Sequence, residues 1–249
     1  MDSAASVTLL GVTIDAVTVP QALGRLREFL ASGRAHHVVT PNNEMLVAAA
    51  RDPAFRAVLN VAALRLPDST GLLLAAGCTG QRLPGRVTGV DTVTTLCATL
   101  DSATPVFLLG AQPGVAERAA AAIQATNPRL TIAGTHAGSP KPEDAPGIIA
   151  KINVSGGRLL LVAFGAPAQD LWIAKYLTSL PFVRVAIGVG GTFDFLAGER
   201  SRAPGILRSV GLEWLWRLLQ EPCRWKRIWT AVIMFPLMVL RYGKQAPVR

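Results

Sequence analysis

The stretch RLLLVAFGAPAQDLWIAKYLTSLPFVRVAIGVGGTFDFLAG (158–198) holds two apolar runs, LLLVAFG (159–165) and VAIGVGG (185–191), each ending abruptly in small and polar residues. A run of Leu, Val, Ile and Ala without polar alternation is the pattern of a strand buried on both faces. The tips that follow, GAPAQD and GTFD, are therefore candidate site loops, because ligands of an open parallel sheet bind beyond the carboxyl ends of its strands.

The same order of apolar run and polar or Gly/Pro tip recurs upstream in HHVVTPNNE (36–44), LRLPDSTG (64–71) and VFLLGAQPG (106–114). Ala/Leu-rich segments with helical spacing follow at 45–60, 114–125 and 169–180. Strands alternating with helices predict an α/β domain on a parallel sheet. With 249 residues, half of them hydrophobic, the chain can bury a full core. Three scattered cysteines, Cys78, Cys97 and Cys223, have no metal or redox spacing, and their odd number argues against a disulfide framework. That favours a reducing, cytoplasmic setting. The opening MDSAASVTLLGV has neither the basic start nor the long apolar core of an export signal.

Charge is concentrated at the C-terminal end. Residues 198–249 hold ten Lys and Arg against three acids, which is +7 of the chain's net +9, and four of the five tryptophans: Trp214, Trp216, Trp225 and Trp229. Cations interleaved with indole rings suit a membrane interface with anionic lipid. The division expected is a core over 1–200 and a basic, Trp-rich helical appendage over 201–249. In the appendage, a helix GLEWLWRLLQE (211–221) precedes a break at Pro222 and a second segment over 223–243. Its apolar stretch TAVIMFPLMVL (230–240) is interrupted by Pro236 and falls short of the about 20 residues a span requires, so surface attachment is expected. The alternative is that these helices simply cap the core with their apolar faces. Such an exposed apolar tail also offers a route to self-association.

Clustered Arg and Trp in a basic chain also suit a phosphate-backbone binder. No zinc spacing, RNP-like motif or helix-turn-helix accompanies them, and the run at 230–240 does not belong on such a surface, so no nucleic-acid partner is expected.

Acids near strand tips are few. Asp68 follows the run ending at Leu66 and Pro67, where a carboxylate faces the crevice and can accept a proton from a substrate hydroxyl; its other reading is an N-cap for the next helix. Asp170 and Asp194 share that ambiguity, since acids in a first helical turn are stabilised there in any case. Gly188, Gly190 and Gly191 allow close approach of backbone N–H groups to an anion such as a diphosphate. GVGGTF lacks the GxGxxG spacing and GAQPG (110–114) is no P-loop, which leaves a nucleotide-dependent oxidoreductase weakly supported. His36, His37 and His136 form no ligand cluster, and the chain has no DxD pair. A diphosphate leaving group would then draw its cations from Arg217, Arg224 and Arg227.

TPNNE (40–44), LPDSTG (66–71), RVTGVD (86–91), GAPAQDLWI (165–173), AIGVGGTFDFLAG (186–198), RAP (202–204) and GLEWLWRLLQEP (211–222) together resemble the WecG/TagA/CpsF glycosyltransferases, in order over most of the chain. The resemblance implies a Rossmann-like α/β core outside the two common glycosyltransferase folds, and an appendage that closes over the site and reaches the inner face of the cytoplasmic membrane. It implies transfer from a UDP-sugar to a polyprenyl-diphosphate-linked saccharide, with inversion and with no metal or cofactor. Carried over by position, Asp68 becomes the general base. Thr40, Asn42, Arg86 and Gln169 become substrate-pocket residues; Thr40 and Asn42 are otherwise read as a turn around Pro41. The loop from Gly188 to Asp194 takes the UDP portion with Arg217, Arg224 and Arg227. Asn43, where the family often has Pro, and the Pro-rich SPKPEDAP (139–146) depart from the common wording and bear on which sugar is used.

Overall fold

A computed structural model describes residues 5–205, 207 and 211–247. Six parallel strands form one sheet in the order β4-β3-β8-β7-β5-β6: β3 (His36–Val39), β4 (Leu64–Arg65), β5 (Val106–Gly110), β6 (Ile132–His136), β7 (Leu159–Ala163) and β8 (Val185–Gly188). A separate antiparallel hairpin, β1 (Ser6–Leu9) and β2 (Val12–Asp15), precedes it.

The unalternated apolar runs are explained by cover on both faces. Along β7, Leu159, Leu161 and Ala163 pack into one cluster with α1 (Val19–Ala31), α5 (Gly89–Cys97) and α6 (Val115–Thr126), while Leu160 and Val162 point the other way into a cluster with α7 (Ala145–Ser155) and α8 (Ala168–Tyr176). Strands β5 and β8 divide in the same way, with Leu108 and Ile187 on the first side and Phe107 and Ala186 on the second. A third cluster joins the hairpin to α2 (Asn43–Arg51), α3 (Pro53–Val61) and α4 (Thr70–Cys78).

The segment 45–60, read as one helix, is two. Asp52 accepts hydrogen bonds from the N–H groups of Ala54 and Phe55 and caps α3, while Pro53, which has no N–H, occupies its first turn. The Asp-Pro pair was a visible stop and start signal.

Beyond β8 a short helix, α9 (Thr192–Leu196), leads into the C-terminal segment. There α10 (Glu213–Gln220) stops before Pro222, and α11 (Trp225–Trp229) continues through a π-helical turn (Thr230–Met234) into α12 (Phe235–Tyr242). Phe235 and Val239 bury against the third cluster. The far end is held by the hairpin turn: the N–H groups of Leu10 and Gly11 donate to the carbonyls of Gly243 and Lys244 at 3.1 and 2.9 Å. Gly11 sits at φ +77° with a Cβ position only 2.7 Å from the Ala246 methyl, so the turn demands glycine there.

Candidate active site

A cavity of about 550 Å³ lies over the carboxyl ends of β3, β4, β5, β7 and β8, with residues of α10 and α11 as its opposite wall. Thr40, Asn42, Asp68, Arg86, Gln169, Gly190, Gly191, Asp194, Arg217, Arg224 and Arg227 all line it. Gly188 does not.

Asp68 is half-buried in the loop after β4, its N–H held by the Pro41 carbonyl. It does not cap the helix that follows: Ser69 occupies the N-cap of α4, and Asp68 Oδ1 instead accepts the N–H of Gly89 at 3.0 Å, in the first turn of α5. Burial raises its pKa from 3.8 to about 7, against the opposing pull of the Gly89 N–H, Arg217 and Arg86, while Glu213 adds to the rise. A carboxylate with that value exchanges a proton readily near neutral pH, as a general base must.

The other residues predicted for this pocket are tied into its scaffold. The Thr40 hydroxyl donates to the Gly188 carbonyl at 3.1 Å, linking β3 to β8. Asn42 Oδ1 accepts the Met45 N–H and caps α2. Gln169 Oε1 accepts the Gly190 N–H at 2.9 Å. Of the three glycines expected to offer N–H groups to an anion, two are engaged within the protein. The Gly190 N–H is already taken. Gly188 is a packing glycine, since a Cβ there would lie 2.5 Å from Asp170 Oδ1 and 2.6 Å from Gln169 Nε2. Asp170 lies in the first turn of α8, as one of its two readings has it, and is fully buried, 3.6 Å from His37 Nε2.

Opposite this edge stands a set of arginines. Arg86 pairs with Glu213 at 3.1 Å and Arg217 with the same acid at 3.6 Å; Arg200 joins Asp194 and Glu221; Arg224 also bonds Glu221; Arg227 reaches Glu44 of α2 at 2.6 Å. Burial, then the neighbouring Arg227, lowers the pKa of Arg224, which places an incompletely compensated cation beside the cavity. Arg200 and Arg202 line the cavity too and were not singled out. Arg200 shares Glu221 with Arg224, and Arg202 pairs with Asp91 of α5. Asn43, the departure noted above, donates to the Ala231 carbonyl at 2.8 Å and accepts from Ser69, tying α2 to the C-terminal segment.

Among the described residues no three His, Cys, Asp or Glu side chains converge as a metal site. The positive charge facing the cavity is that of arginine.

The sequence model of the glycosyl transferase WecG/TagA/CpsF family matches residues 7–248. The chain belongs to this family. It is a glycosyltransferase. Among curated relatives, the N-acetylglucosaminyldiphosphoundecaprenol N-acetyl-beta-D-mannosaminyltransferase of Bacillus spizizenii is 34% identical over 80% of this chain and 77% of its own length. The enzymes of the same name from Bacillus subtilis and Staphylococcus aureus are each 31% identical, over 83% and 90% of this chain and 80% and 87% of theirs.

Proposed function

We propose that this glycosyltransferase moves a sugar from a UDP-sugar to a saccharide carried on polyprenyl diphosphate, inverting the anomeric carbon without a metal ion. The observation that carries the reading is the pairing of one carboxylate of raised pKa, Asp68, with an arginine wall across a single cavity. The relatives named above act on a diphosphoundecaprenol-linked acceptor, which supports the acceptor class.

The reaction is one displacement. Asp68 takes the proton of the acceptor hydroxyl as its oxygen forms a bond to the anomeric carbon. The bond from that carbon to the β-phosphate oxygen breaks on the opposite side. UDP departs with the electron pair, and Arg217, Arg224 and Arg227 offset its growing charge. These arginines pair with Glu213, Glu221 and Glu44, so diphosphate binding exchanges one anionic partner for another.

The 201–249 region acts in this proposal as an appendage that supplies those cations and attaches the enzyme peripherally to the cytoplasmic face of the membrane. Trp225, Trp229, Ile233, Leu237 and Leu240 are exposed along the α11–α12 segment, whose Phe235 and Val239 turn inward. No described helix is long and apolar enough to cross a membrane. Rings and leucines at that surface suit shallow insertion into the interface.

The test is transfer, read by mass spectrometry, from a panel of UDP-sugars to a prenyl-diphosphate-linked N-acetylglucosamine, with wild-type protein and Asp68→Asn. Addition of one sugar mass, lost in the variant, is the expected result. Full transfer by Asp68→Asn would remove Asp68 as base, and the absence of transfer from every donor would count against a UDP-sugar donor for this acceptor.

A further inference from the structure

Beside the main cavity runs a second one of about 260 Å³, bounded by α2 and α3 on one side, the loop after β7 on another and α11 with the π-turn on the third. The two share Asn42, Glu44, Met45, Ala166 and Arg227, so the second is a branch of the first. Its character differs. Val47, Ala48, Phe55 and Pro167 give it largely apolar walls, to which Arg51 of α2 adds one charged side chain, whereas the main cavity is dominated by hydroxyl, amide and charged groups. Lys226 and Arg227 line it from α11, and the Arg227–Glu44 ion pair borders both spaces. The same α11–α12 segment carries the exposed tryptophans and leucines described above.

An apolar branch that leaves a polar, arginine-rich cavity past two cations, toward an exposed apolar helix, fits a ligand with a charged head and a hydrocarbon tail. We propose that this branch holds the first isoprene units of the polyprenyl acceptor, with Lys226 on the acceptor's diphosphate and Arg227, at the junction, left to the donor's. The assignment rests on the acceptor class proposed above and adds a place for its lipid. Three features argue for this occupant: continuity with the catalytic cavity, charge complementarity at the junction, and walls whose chemistry matches a branched hydrocarbon.

The experiment measures binding rather than transfer, so that its failure is separable from failure of the reaction. With UDP saturating the donor site of the full-length protein, the affinities of farnesyl diphosphate and inorganic diphosphate are compared. Farnesyl diphosphate should bind on the order of tenfold or more tightly, from the apolar area it removes from water. Ala48→Phe, which fills the branch from α2, and Thr230→Phe, which fills it from the π-turn, should each erase that preference while leaving UDP affinity unchanged. Lys226→Ala should weaken both ligands alike. Equal affinity of the two ligands for the wild-type protein would overturn the proposal. So would a farnesyl preference that survives in folded, UDP-binding Ala48→Phe and Thr230→Phe. Absence of sugar transfer with intact farnesyl preference would instead overturn the reaction and leave the site.

Discussion

The two walls of the cavity are built by different physics. The sheet side is fixed by backbone geometry: Thr40 and Gln169 are almost wholly buried, Thr40 tied by a hydrogen bond to the last residue of β8 and Gln169 to the loop after it, and Asp68 is pinned by the Gly89 N–H and the Pro41 carbonyl. On the C-terminal side α10 and α11 have no buried residue and meet the cavity through partly exposed ion pairs such as Arg86–Glu213 and Arg227–Glu44, while α12 beyond them is anchored by Phe235 and Val239. Such pairs individually contribute between nothing and about 1 kcal/mol, and salt weakens them. The side that carries Asp68 is thus preorganised, whereas the arginines of the other side are lightly fastened and able to change partners.

The strongest challenge to this contrast is Asp68→Asn, which should lower kcat by about 10²- to 10⁴-fold with little change in donor KM. The variant also tests the cause of the raised pKa. A carboxyl shifted from 3.8 to about 7 adds its full stabilisation only below pH 3.8 and loses it as pH rises through about 7. Asp68→Asn should therefore melt above wild type at pH 8, and the gap should close toward pH 4. A lower melting point at pH 8 would mean that the ionised carboxylate holds the fold together rather than straining it.

Arg224→Gln comes next, with a loss of about 10²- to 10³-fold in kcat/KM, the scale of a missing donor to developing charge. Its circular dichroism and melting point should barely move, because the residue belongs to the lightly held wall. Gly188→Ala should do the reverse. With its new methyl forced against Asp170 and Gln169, it should cost about 1–3 kcal/mol of stability and disturb activity through the loop. If both variants lost stability equally, the contrast between the walls would fail. The smallest effect is expected of Glu213→Gln. Removing an acid that raises the Asp68 pKa should move the midpoint of the kcat/KM profile below its wild-type position near pH 7, with activity rising as pH rises through it.

Most of the sheet could be read because buried parallel strands are unbroken apolar runs; β7 and β8 announced themselves in this way, as did the polar tips beyond them. Strand β6 (IAGTH) did not, being an edge strand with mixed residues and a register shift against β5. Hairpin β1–β2 was missed because nothing local says that its turn receives Gly243 and Lys244. At the site, residue types and tip positions marked Asp68, Thr40 and Gln169, but not their partners. Whether Gly188 meets a ligand or a side chain depends on Asp170, eighteen positions earlier, and only packing decides that. The tail arginines were legible as charge, and their pairing with Glu213, Glu221 and Glu44 was not.

The hydrogen bonds of Leu10 and Gly11 to Gly243 and Lys244 join positions more than 230 residues apart. Contacts of such sequence separation carry a large loop-closure cost and depend on the rest of the chain being in place. During synthesis the sheet, with its carboxylate, can form while the arginine-bearing helices are still being made. The hairpin turn is then a latch for residues 243 and 244, which closes only after the whole stretch between them and residue 11 has been made.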